Sequence, residues 1–480
     1  MSYAAFRGGP RIRRIGGALA LALLTGACAL PPTSSHLQPL ASAERFPAAQ
    51  TLAPAAQGEW PSDGWWQAYG DKQLDALIAE GLQGATDLRV AVARQDAADA
   101  VIKQARANLL PQLSLDAQGG VTKQSYRYLF PESFAPKGWP DYAQGGVNLN
   151  WELDFWGKNR AGLNAAKQDA AAAGAEAAAA RLSVSAGIAS AYADLAALHA
   201  ERDAAASAVD IRRQTLALTG QRRDQGLENS GAVERARSGL ATSEGELATL
   251  DEEIDLGRHR LAALMGAGPD RTRDLARPTA FGHADANLPD NIPAQLIARR
   301  PDIIAARDRA QAAASRVKQA RAAFYPNVNL MGLIGQQVLG VGNLFKSGAE
   351  YGSVGPAISL PLFQGGRLQG QYRQNRADYD VAVAQYDGAI TQALREVADA
   401  ATSQRALSTR LTHAQDAEKA AQAAWQVAGN RYRGGLATNL DVLTAEDALI
   451  SARRSVAALQ TRAFALDVAL TRALGGGYHS

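Results

Sequence analysis

Few residues of this chain are spaced for covalent chemistry. The six histidines and three methionines show no metal-ligand spacing. No GxSxG, Walker A or HExxH string occurs, so a hydrolase or nucleotide-binding reading has no nucleophile, base or phosphate cradle to stand on. Cys28 is the single cysteine, which rules out a disulfide within the chain. The chemistry open to it is acylation, and two or more acyl chains there would anchor the mature N-terminus stably to a membrane. Among the acids, Asp441 stands six residues after Gly435 and three after Thr438. That is the spacing of a capping box, with a carboxylate at the positive end of a helix. Thr86 with Asp87, and Pro301 with Asp302, read likewise as helix starts. Metal, cofactor and enzyme are all absent from this reading, apart from a covalent lipid on Cys28.

The segment before Cys28 decides where such chemistry would happen. Arg7, Arg11, Arg13 and Arg14 precede a short apolar run from Ile15 to Leu24 and the small residues Gly26 and Ala27. This is the build of a secretory signal, too short and glycine-rich to span a bilayer permanently. "LLTGAC" resembles a bacterial lipoprotein processing site, with Thr25 where leucine is usual, and Ala29 after the cysteine favours the outer membrane. A plain signal with an unpaired cysteine near the cut is the alternative. Removing the four arginines, with no acid among them, takes the formal charge from +3 to about −1, which gives nucleic acid nothing to bind.

Proline and glycine mark out the elements. No proline occurs between Pro140 and Pro269, nor after Pro361, and these stretches are rich in Ala, Gln, Arg, Glu and Leu. Each is interrupted by one glycine turn, "QRRDQGLENSGAV" at Gly226 and "NRYRGGLATNLDV" at Gly435. The leading helices, from near Gly157 to Gly226 and from near Gly366 to Gly435, would each approach about 100 Å. Such lengths predict coiled-coil hairpins, with alanines letting the axes come close. The plan repeats. At an offset of 215 residues Asp87, Lys103, Arg106, Pro111 and Leu115 fall on Asp302, Lys318, Arg321, Pro326 and Leu330. At an offset of 209, Leu153, Gly157, Gly226, Val233 and Ala236 fall on Leu362, Gly366, Gly435, Val442 and Ala445. One unit of helix, strand, loop, strand, long helix, turn and helix is used twice.

The strands alternate with period two. Val147, Leu149, Trp151, Leu153 and Phe155 face away from Asn148, Asn150, Glu152 and Asp154, and Leu113 and Leu115 from Ser114 and Asp116. The second pair is less regular: Val354, Pro356, Ile358, Leu360 and Leu362 oppose small residues, and "PNVNLMGLIG" loses polarity after Asn329. One apolar and one wet face suits an outer-membrane barrel, and equally a half-buried soluble strand. If the strands are in a membrane, four cannot close a barrel and open edges are forbidden there, so the barrel must be shared between copies.

The chain resembles the outer-membrane factor family of TolC-like channels, in its NodT-type lipoprotein branch serving resistance-nodulation-division efflux pumps. The resemblance rests on "WWQAYGDKQLDALI", "DLRVAVARQDAADAVIKQARANLLPQLSL", "LNWELDFWGKNR", "IPAQLIARRPDIIAARDRAQAAASRVKQARAAFYPNVNL" and "SLPLFQGGR". It implies a mainly α fold with β. A homotrimer would share a twelve-stranded barrel, four strands per chain, on a twelve-helix periplasmic α-barrel with a mixed α/β equatorial belt. The chain divides into signal peptide (1–27), lipid-anchored extended segment (28–60), repeat 1 (61–268), equatorial linker (269–291), repeat 2 (292–474) and tail (475–480). The implied partners are outer-membrane lipid, a periplasmic adaptor and an inner-membrane transporter. By the same resemblance the hairpin tips, Gly226 with Leu227 and Gly435 with Leu436, meet the adaptor. Asp441 matches an acid lining the closed periplasmic aperture, Thr444 occupies the second acid's place, and Tyr432 and Arg431 bond neighbouring hairpins shut. The rival reading is a non-channel structural lipoprotein or a periplasmic adaptor. An adaptor is expected to hold a single hairpin in a lipoyl-like domain, whereas this chain carries two, each preceded by a strand pair.

Overall fold

The elements follow the glycine and proline punctuation. The computed structural model describes residues 37–48, 50–52, 58–127, 131, 133–278, 288–289 and 292–478. The signal segment and Cys28 therefore lie outside the described residues, as does much of the proposed linker. Repeat 1 contains α1 (Lys72–Gly84), α2 (Thr86–Ala107), β1 (Gln112–Val121), β2 (Asp141–Glu152), α3 (Lys158–Asp224) and α4 (Ser230–Leu264). Repeat 2 contains α5 (Ile292–Arg299), α6 (Pro301–Ala322), β3 (Asn327–Leu339), β4 (Glu350–Ser359), α7 (Arg367–Arg433) and α8 (Asn439–Ala473). The duplication is close: α2 and α6 have 22 residues each, α3 and α7 67 each, α4 and α8 35 each.

The chain forms two compact units. The first contains Asp96–Ala172 and Arg307–Gln385, and with them the sheet; the second contains Leu40–Gln95, Ala173–Ala306 and the residues from Tyr386 onward.

In the first unit the four strands form one antiparallel sheet in the order β1-β2-β3-β4. The rung Leu115, Val147, Ile334, Gly352 lies beside the rung Ser114, Asn148, Leu333, Ser353, and the two point to opposite faces. The apolar face is bare: Leu113, Leu115, Ile334, Val354 and Ile358 are each more than two-thirds exposed. On the other face Asn148 Nδ2 donates to Asp116 Oδ2 at 2.6 Å and Ser114 Oγ reaches the same oxygen at 3.1 Å. The alternation expected to run on to Phe155 stops at Glu152. Asp154 is the cause, because its carboxylate accepts from the backbone of Asn159 (3.0 Å) and Arg160 (2.8 Å). It caps α3 and takes the chain out of the ladder.

The second unit explains "WWQAYGDKQLDALI". Asp71 caps α1 by accepting from the backbone of Gln73 and Leu74, and the Tyr192 hydroxyl donates to its other oxygen at 2.7 Å. Helical spacing then buries Leu74, Leu77 and Ile78 against Ile188, Tyr192, Leu261, Met265 and Phe464. Each large apolar side chain so buried contributes about 1.5–3 kcal/mol. Alanines such as Ala189, Ala193, Ala393 and Ala401 are almost wholly buried on the long helices. No described helix is long and apolar enough to cross a membrane.

Candidate functional site

Both long hairpins close on the same turn. At the first tip Gly226 N–H donates to the Arg223 carbonyl (2.9 Å) and Leu227 N–H to that of Arg222 (2.8 Å). At the second, Gly435 donates to Tyr432 (3.0 Å) and Leu436 to Arg431 (2.8 Å). This is the helix-terminating motif that requires a left-handed residue, and Gly226 and Gly435 have φ of 77° and 73°. An apolar residue at the next position ordinarily packs back on its helix, yet Leu227 and Leu436 are 60% and 72% exposed. The turns thus present one apolar side chain per tip to whatever lies beyond.

The returning helices start on side-chain caps. Asn229 Oδ1 accepts from Ala232 N–H at 2.9 Å. At the second tip the expected capping box forms: Thr438 N–H donates to Asp441 Oδ2 at 2.7 Å, and Asp441 N–H to Thr438 Oγ1 at 3.3 Å. The bonds from Thr438, with the Arg431 guanidinium nearby, hold the exposed Asp441 carboxyl below the usual carboxylate range. A depressed value contributes stability above the ordinary pKa and loses it as pH falls through the depressed one, so the cap is intact at neutral pH. Capping and a role in an aperture are compatible, because the capped carboxylate stays charged and open to solvent. Thr444 is also exposed, its hydroxyl turned back to the Leu440 carbonyl at 2.8 Å.

Tyr432 and Arg431 differ from each other. Tyr432 is buried; its hydroxyl donates to Glu228 Oε2 at 2.9 Å, and the Arg222 guanidinium lies 4.6 Å over its ring. It ties the second hairpin to the tip of the first within one chain. Arg431 instead bonds the carbonyl of Leu436 in its own turn at 3.2 Å. Sequence reasoning missed Glu228 and Arg222. The signal available was their place on either side of the Gly226 turn, but nothing local pairs them with Tyr432.

"RRPDI" is more than a helix start. Arg300 is buried, and its guanidinium holds Asp302 in a two-point bond (3.0 and 2.6 Å), Glu396 of α7 at 2.7 Å and the carbonyl of Ala473, the last residue of α8, at 3.0 Å. Among the described residues no group of three or more His, Cys, Asp or Glu is placed to hold a metal ion.

Residues 77–267 and 292–476 match the model of a family described as outer membrane efflux protein. The first matched segment runs from within α1 to just past α4, and the second from α5 to just past α8. Over 472 residues the chain is 29% identical to the multidrug resistance outer membrane protein MdtQ of Escherichia coli O157:H7, covering 95% of this chain and 97% of that one. It is 34% identical over 363 residues to the fusaric acid resistance protein FusA of Burkholderia cepacia, covering 74% and 67%. Among solved structures, the outer membrane protein VceC of Vibrio cholerae superposes with a TM-score of 0.83 at 45% identity, covering 88% of this chain and 100% of that one.

Proposed function

We propose, from the premise that this chain belongs to the outer membrane efflux protein family, that it is the exit duct of a tripartite pump. Three copies would share one barrel in the outer membrane, and the hairpins would extend into the periplasm to meet an adaptor and, through it, an inner-membrane transporter. The observation that carries this reading is the sheet: β1 and β4 each pair on one side only, and the apolar face between them is bare. Backbone edges cannot stay unpaired in hydrocarbon, so the sheet needs further copies to close it. Three fourfold sets give a hollow barrel, whereas two give the eight strands that side chains fill. The exposed Leu227 and Leu436 supply apolar contacts for the adaptor at the tips. Cargo is then a small molecule that passes through without covalent change.

Mass determination in detergent should return three copies, and the purified protein should conduct ions across a planar bilayer. A stable monomer in the outer membrane, or a trimer without conductance, would overturn the duct. Cys28 is proposed to carry the lipid. Labelled fatty acid should enter the wild type and not Cys28→Ser, which the barrel should still hold in the membrane; a labelled Cys28→Ser protein would refute the assignment.

Asp441 is proposed to line the periplasmic aperture, where threefold symmetry would gather three carboxylates that attract cations. With Thr444 at the neighbouring acid's place the ring would be thin. Asparagine can keep the bond from Thr438 N–H while losing the charge. Asp441→Asn should therefore lower the cation preference in single-channel recordings and leave trimer stability nearly unchanged. Unaltered selectivity would leave Asp441 with the cap alone.

A further inference from the structure

Near their tips the two hairpins of one chain meet along a polar seam, where paired helices ordinarily bury leucine and isoleucine. α3 and α8 run antiparallel there. Arg453 Nη1 donates to Ser207 Oγ at 2.8 Å, Arg212 pairs with Asp447 and faces Glu446, Thr215 donates to Glu446, Asn439 Nδ2 donates to Thr219 Oγ1 at 3.1 Å, and Arg222 reaches the Arg433 carbonyl at 3.2 Å. The repeat does not demand this polarity. At the offset of 209, Arg212, Thr215 and Thr219 correspond to Ala421, Ala424 and Ala428 of α7, and Glu446 to the exposed Arg237 of α4.

Glu446 is the centre of the seam and has no exposed surface. One oxygen takes the Thr215 hydroxyl. The other lies 3.5 Å from Arg212 Nη1, an ion pair without a hydrogen bond. The charged groups facing Glu446 are Arg212 of α3 and, on its own helix, Asp447; from α7 the uncharged Trp425 side chain faces the carboxyl and favours its ionised form. Arg212 already gives its second arm to Asp447, which is mostly exposed, so Arg212 keeps a partner whatever the state of Glu446.

We propose that Glu446 is a proton-operated clasp between the hairpins: proton uptake tightens the α3–α8 seam, and proton loss loosens it. An ionised carboxylate buried with one incomplete partner is held at a cost that water would relieve, whereas the neutral acid fits the dry seam. Burial is the leading cause that raises its pKa, with Thr215, Arg212 and Trp425 pulling the other way. The sign follows. A carboxyl whose pKa is raised when docked favours the docked form as pH falls through the raised value and favours release above it. Each unit by which the docked and released values differ changes the docked-to-released ratio about tenfold.

The test uses the full-length protein in detergent on a Cys28→Ser background, with spin labels at Gln214→Cys on α3 and Ala448→Cys on α8, both exposed positions. The distance distribution between the labels should narrow as pH falls from about 8 to about 5. With Glu446→Gln added, it should stay narrow throughout. A distribution independent of pH in the parent, or an unchanged pH response with Glu446→Gln, would overturn the clasp. If the glutamine variant does not assemble, Thr215→Val provides the second arm: without the hydroxyl that favours the ionised form, the midpoint should move to higher pH. An unmoved midpoint would count against the proposal.

Discussion

Arg300→Ala should cost about 3 kcal/mol of stability, the lower end of what breaking a buried ion pair removes. The lower end applies because Asp302 and Glu396 keep 43% and 33% of their side-chain surface and can turn to water once the guanidinium is gone. The Ala473 carbonyl loses a donor at the same time, so the end of α8 is freed from the α5–α6 junction. Arg300→Lys should recover only part of the loss, since an ammonium cannot make the two-point bond to Asp302 while reaching Glu396 and Ala473. Thermal unfolding followed by tryptophan fluorescence, together with the yield of assembled protein, reads both variants. If Arg300→Ala unfolds within a degree or two of the wild type, the cluster is ornament and the helix-start account of "RRPDI" is sufficient.

Ile334→Arg should prevent stable assembly in the outer membrane, whereas Ser353→Arg should not. Ile334 stands in the apolar rung with Leu115 and Val147, and Ser353 in the rung of the opposite face with Ser114, Asn148 and Leu333. A charged residue facing lipid in a barrel costs about 2–4 kcal/mol near the midplane, and one facing the lumen changes selectivity instead. In a closed trimer the penalty would be incurred three times. Outer-membrane fractionation and heat-modifiable gel mobility distinguish the two variants. Equal tolerance would mean that the apolar face does not meet lipid, and the shared barrel would fall with it.

Much of the fold is legible from local rules. The hairpin turns follow from glycines that alone tolerate a positive φ, at Gly226 and Gly435, and the caps at Asn229 and Thr438 from side chains that bond three residues on. Helix lengths follow from where proline is missing. The strand faces follow from alternation, a property of adjacent residues. Even the early end of β2 has a local cause in Asp154, whose capping role alternation does not register.

The tertiary structure alone decided which polar groups are buried and against what. Arg300 meets Glu396 across 96 positions and Ala473 across 173, Tyr432 meets Glu228 across 204, and Thr215 meets Glu446 across 231. A period of 3.6 puts Glu446 on a helix face, but only the approach of α3 makes that face an interior one. Asp441, five residues earlier, points about 140° away around the same helix, caps its first turn and stays in water. Periodicity fixes the direction of a side chain relative to its own helix. Its surroundings are set by helices hundreds of residues away, whose register depends on the packing of every side chain between them.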